Sequence, residues 1–130
     1  MNHIKSHIIL FSSFNAGLNP ILNSIHYDTV IGRLKSDGIT FQEMVGVYKG
    51  VKEPSFLVLA KYENVVRELC HFTKQDCYLY SNNERMSTLI YLDGKTEEIG
   101  ILKRVNESVA MELDAYTHDP VRNTYWATLK

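Results

Sequence analysis

The chain predicts an α+β fold, a ferredoxin-like βαββαβ sandwich with a C-terminal β-hairpin extension. Three observations point there. Apolar runs and two amphipathic segments alternate in the order βαββαβ, the two middle runs flank only a short loop, and a later Asp93-Gly94 dipeptide joins two further strand-like runs. Two βαβ halves would lay two helices on one face of an antiparallel sheet. The expectation is a single domain over residues 1–130, with a core at about 7–81 and a hairpin and tail at 86–130.

His7-Ile8-Ile9-Leu10-Phe11 reads as a short buried strand, ended by the small and polar residues Ser12-Ser13-Phe14-Asn15-Ala16-Gly17. Asn19-Pro20 starts a helix, because Asn caps free N–H groups and proline loses no hydrogen bond at the first helical position. Tyr27, Val30, Ile31 and Leu34 form its inward face, and Asp37-Gly38 stops it. A half-buried strand follows over Thr40 to Tyr48, in which Phe41, Val45 and Val47 share a parity. Gly50 to Pro54 then reads as a connection, and Phe56-Leu57-Val58-Leu59 as a central strand with no polar face.

Tyr62, Val65, Val66, Leu69 and Thr73 mark the second helix, and Cys77 to Tyr80 the next strand. Leu89 to Leu92 and the alternation of Ile99, Ile101, Lys103 and Val105 build the hairpin. Beyond Asn106 the pattern weakens. Val109 to Leu113 fits either type, Asp119-Pro120 is a turn, and Tyr125 to Leu129 reads as a last strand.

Composition narrows the function. Fourteen Lys and Arg against fifteen Asp and Glu leave a net charge of −1, so no basic excess marks a nucleic-acid partner. No run approaches the roughly 18 to 20 apolar residues of a membrane span. The polar start, Met1 to Ser6, leads into no signal pattern, so the expectation is a cytoplasmic protein with neither membrane nor nucleic-acid partners. Cys70 and Cys77 lack metal-ligand spacing and are expected as reduced core residues. The His3 and His7 pair has i, i+4 spacing but lies in or beside a strand, so no metal site is expected.

No Gly-rich phosphate loop, H-E-x-x-H pair, G-x-S-x-G elbow or C-x-x-C pair occurs. Three local features remain: the loop Ser12-Ser13-Phe14-Asn15, the segment from Gly46-Val47-Tyr48 to Glu53-Pro54-Ser55, and Gln75-Asp76-Cys77. Tyr48 and Glu53 fall on the expected mobile connection between the second and third strands, where an aromatic ring and a carboxylate suit a cationic ligand. The residues alone leave a plainer reading open, with Glu53 a solvated loop acid, Tyr48 a strand-edge aromatic and Gln75-Asp76 an ordinary turn.

The ordered pieces of the chain resemble the phage S-adenosylmethionine lyases, formerly described as hydrolases. Ile9-Leu10-Phe11-Ser12-Ser13-Phe14 is similar to their first strand ending in Ser-x-Phe, and His26, Val30 and Leu34 to their first helix. Gly46-Val47-Tyr48, Glu53, and Leu69 through Gln75-Asp76-Cys77-Tyr78-Leu79-Tyr80 match further pieces, with a tail echo in Thr117, Asp119, Arg122 and Trp126. The chain departs from them in a shorter Tyr48 to Glu53 connection and at Asn15 and Ala16. A weaker resemblance, carried by Phe14-Asn15, Glu53-Pro54-Ser55 and Gln75, is to uncharacterised bacterial ferredoxin-like domains.

The lyase resemblance implies cleavage of S-adenosylmethionine to 5′-methylthioadenosine and L-homoserine lactone by the substrate's own carboxylate, without a cofactor, in a phage anti-restriction role. It implies Glu53 and Tyr48 as catalytic residues, and Ser12, Ser13, Phe14, Asn15, His26 and Gln75 as the substrate-binding set. It also implies a homotrimer with the site at the subunit interface, which suits a chain too short to enclose the whole substrate. The alternatives are hydrolysis of the same substrate to homoserine, or a non-catalytic module binding an adenosine ligand or a protein.

Overall fold

The structure is a computed structural model that describes residues 6–130. The elements are β1 (Ile8–Ser12), α1 (Pro20–Ser36), β2 (Gln42–Tyr48), β3 (Val51–Leu59), a 3-10 turn (Ala60–Tyr62), α2 (Glu63–Phe72) and β4 (Cys77–Ser81). Then come β5 (Met86–Tyr91), β6 (Thr96–Val105), α3 (Glu107–Ala110), β7 (Ala115–Asp119) and β8 (Thr124–Leu129).

All eight strands close into one antiparallel barrel in the order β1-β3-β2-β7-β8-β6-β5-β4. The expected ferredoxin-like βαββαβ sandwich is therefore overturned. Its open sheet would leave β2 and β4 as edges, with rows of unpaired N–H and C=O groups. Instead β2 pairs with β7 over residues 45–48 and 115–118, and β4 pairs with β5 along its whole length. The hairpin and tail, expected as an extension, form the other half of the wall.

β6 makes this closure possible. Its first half pairs with β5 and residues 101–105 pair with β8, so one strand serves two neighbours in succession. At the changeover lies a bulge around Gly100, whose φ of 107° is open to glycine but strained for other residues. The bulge reorients the strand, and its inward residue is Leu102, while Ile101 is exposed.

Two apolar layers result. Ile8, Leu10, Met44, Leu57, Leu102 and Trp126 fill the barrel interior. Outside, α1 and α2 pack Val30, Leu34, Val66, Leu69 and Cys70 against Ile9, Phe11, Phe56 and Val58. β1 is thus buried on both faces, as is the Phe56–Leu59 part of β3, whose last residue is half-buried. The expected helix signals hold: the Asn19 side chain accepts the Leu22 N–H at 2.8 Å, and Gly38 takes a positive φ after the last turn of α1.

Both cysteines are free thiols; Cys70 is buried, whereas Cys77 is only half-buried, short of the core position expected for it. His3 lies outside the described residues, and His7 bonds Tyr80 through Nδ1 at 2.7 Å.

Candidate active site

The β2–β3 connection is a two-residue turn, Lys49-Gly50, since Tyr48 pairs with Val51 and Gly46 with Glu53. Both turn residues have positive φ, 49° and 81°, the requirement of the hairpin turn that matches strand twist. Tyr48 and Glu53 therefore lie in strands, not on the mobile connection expected for them. Alternation along the strands puts Gly46, Tyr48, Glu53 and Ser55 on one face, which they share with Met44 and Leu57 of the barrel interior. The four residues form one mouth of the barrel.

Glu53 is half-buried there. Burial pushes its carboxyl above the ordinary glutamate value, while a hydrogen bond with Ser12 acts in the opposite sense by favouring the charged form. The carboxylate lies over Gly46: a Cβ at that position would stand 3.5 Å from Glu53 Cγ, 3.7 Å from Oε1 and only 2.7 Å from Ser55 Oγ. Tyr48, at the rim, is 57% exposed, and its ring carries the Lys49 ammonium 5.4 Å from its centroid. That contact displays the ring's capacity for a cation.

The loop after β1 is held from three sides. Ser12 donates to the Pro54 carbonyl at 3.0 Å and accepts the Phe14 N–H at 3.0 Å. Gln75 donates to the Phe14 carbonyl at 2.7 Å. Asn15 donates from its backbone to Asn23 Oδ1 at 2.9 Å and from its side chain to the Lys74 carbonyl at 2.9 Å. In this arrangement Asn15 and Gln75 brace the loop. Ser13, fully buried, has the opposite strand parity to Ser12, and its hydroxyl has no partner among the described residues. His26 is buried in α1 with its ring 5.1 Å from Phe72, and its Nδ1 also finds no partner among the described residues. The structure thus brings Ser12, Tyr48 and Glu53 to one mouth and places Ser13 and His26 in the helix-covered layer.

Ser55 was visible in the sequence only as part of Glu53-Pro54-Ser55; its place beside Glu53 needs the strand register. Asp119, noted only in the tail echo, is 1% exposed and organises the β7–β8 turn by accepting the N–H groups of Val121 and Arg122 at 3.0 and 3.2 Å. A cleft of about 780 Å³ lies between Tyr27 of α1, residues 41–45, residues 52–54 and that turn. Glu53 is among its lining residues, yet the Tyr27–Glu43 hydrogen bond and the parity of Val45 and Lys52 place it on the outer face of the β2–β3 ladder. The carboxylate of Glu53 serves the opposite, inner face.

A closed barrel with a half-buried carboxylate and an exposed tyrosine at one mouth has the chemistry that suits a small organic cation. The chain belongs to the S-adenosylmethionine lyase family, whose family model matches residues 9–129. Lyase activity on S-adenosylmethionine comes with that membership, and this substrate carries the cation, a sulfonium. No curated protein matches the sequence.

Proposed function

We propose that the chain splits S-adenosylmethionine into 5′-methylthioadenosine and L-homoserine lactone at the mouth formed by Ser12, Gly46, Tyr48 and Glu53. The observation that carries this reading is the half-buried Glu53 carboxylate beside Tyr48 on the inner face. A carboxylate oxygen of the substrate attacks its own γ-carbon. The new C–O bond forms as the C–S bond breaks, the electron pair passes to sulfur, and a neutral thioether leaves. No proton or external electron enters the balance, so the step needs no cofactor.

Nucleophile and leaving group are tethered, so holding the methionine arm in a bent, near-attack geometry supplies much of the acceleration. Attack also cancels the carboxylate and sulfonium charges, and a site shielded from water favours that loss of charge. Glu53 orients the sulfonium or the ammonium, and Tyr48 faces the methylsulfonium. Their grip is useful only to the extent that it persists into the transition state.

Tyr48 and Val51, paired across the hairpin, are both more than half exposed at the rim. This supports a homotrimer in which a neighbouring copy covers the mouth and completes the site. Light scattering checks it: a monomer with full activity at micromolar concentration overturns the shared site. Depletion of S-adenosylmethionine in a host cytoplasm would starve methyltransferases and the restriction systems that use it, the anti-restriction role proposed for the chain.

The test is chromatography of an incubation with S-adenosylmethionine. Methylthioadenosine and lactone are expected, with Glu53→Gln slowed by about 100-fold or more, the scale set by removing one preorganised electrostatic contact. Near wild-type turnover in that variant rejects the role of Glu53. Hydrolysis with Glu53 as general base draws on the same raised carboxyl. Early product in heavy-oxygen water decides between them, because hydrolysis labels the γ-hydroxyl of homoserine.

A further inference from the structure

We infer that Ser55 is a further substrate-positioning residue, whose hydroxyl donates to the substrate carboxylate and aims it at the γ-carbon. The inference rests on the lyase reading above. Ser55 is 8% exposed, faces the mouth, and sits directly across the ladder from both Ser12 and Met44. Its hydroxyl oxygen occupies the space that a side chain at position 46 would fill, since a Cβ there would stand 2.7 Å from it. Gly46 therefore creates the room in which the Ser55 hydroxyl and the Glu53 carboxylate lie side by side.

The two serine hydroxyls at the end of β1 are unsuited to this task. Ser12 donates its one proton to the Pro54 carbonyl, and its oxygen receives the Phe14 N–H. Ser13 has the opposite parity and is fully buried. Ser55 forms no side-chain hydrogen bond with any described residue, and a polar group so placed gains from a ligand that supplies the missing partner.

The chemistry also favours a hydroxyl. The nucleophile is a carboxylate, and an ion pair with lysine or arginine would lower its charge and weaken its attack. A neutral donor on the non-attacking oxygen orients it while leaving that charge in place. Lys52, the nearest cation in sequence, has the outer parity of β3. The bond and electron balance is that of the lyase step; Ser55 transfers no proton.

The decisive experiment follows early turnover in heavy-oxygen water for the wild type, Ser55→Ala and Ser55→Cys, with thermal melts to verify folding. The cysteine variant keeps a side chain of similar size but is a weak donor. Both variants should lower kcat about tenfold, the scale of one hydrogen bond. Both should also divert product from unlabelled lactone toward homoserine labelled at the γ-hydroxyl, because a poorly aimed carboxylate competes less well with water. A folded variant with wild-type kcat and wild-type partition overturns the role of Ser55 while leaving the lyase reading intact. A wild type that itself yields only γ-labelled homoserine, or no methylthioadenosine, overturns both. A loss of rate with no change in partition also overturns it, since packing alone would then explain the loss.

Discussion

Glu53 meets two opposed demands. Partial burial raises its carboxyl above the ordinary value, and the same burial strengthens its hold on a cation. In the proposed mechanism the ionised form holds the substrate, so kcat/KM should fall with decreasing pH at a higher pH than an ordinary carboxylate, near 4.3, would give. A rate-against-pH profile checks this, and the low-pH limb should vanish in Glu53→Gln. The stability effect has the opposite direction. With the folded-state pKa raised, the charged form penalises folding once pH passes that value, whereas below the unfolded value both states are protonated and no penalty remains. Glu53→Gln should therefore melt at or above the wild-type temperature at neutral pH, and the difference should close below about pH 4. A lower melting temperature across the whole range would show that the carboxylate stabilises the fold.

At the scale of elements, the β2–β3 hairpin shows why part of the site was hidden. Lys52-Glu53-Pro54 looks like a break, because proline lacks a ladder donor. Pro54 is tolerated since β1 ends at Ser12, opposite Ser55, so no strand on that side needs an N–H from position 54. The turn, by contrast, uses a suboptimal residue. Lys49 holds a φ of 49° where asparagine is preferred, so Lys49→Asn should stabilise by about 0.5 kcal/mol and raise the melting temperature by a degree or more. Gly100 admits no such exchange. A Cβ there would meet the Leu129 carbonyl oxygen at 2.4 Å, and Gly100→Ala should cost roughly 2 kcal/mol or more by calorimetry, because backbone must move on both β6 and β8.

At the scale of the molecule, closure is a property of the last third of the chain. Deleting residues 107–130 removes α3, β7 and β8 and uncovers the edges of β2 and β6. The truncated chain should aggregate or fail to unfold cooperatively; a soluble fragment with a sharp melt would show that the first six strands stand without the ring. Local signals such as Asn19-Pro20, Asp37-Gly38 and the Phe56 to Leu59 run were enough to read α1 and the second half of β3, because caps and burial on both faces leave marks in neighbouring residues. The ordered motifs around Ser12, Gly46, Tyr48 and Glu53 were likewise enough to point to the family. Which strand lies beside β2 left no such mark, since pairing with β7 joins residues some seventy positions apart. Local pattern was enough for most of the elements, though not for β7 or the first half of β3, and for marking Glu53 and Tyr48 as candidates. Only tertiary structure decided that the sheet closes, that Glu53 faces its interior and that Ser55 stands beside it, because register and closure depend on partners that no local pattern names.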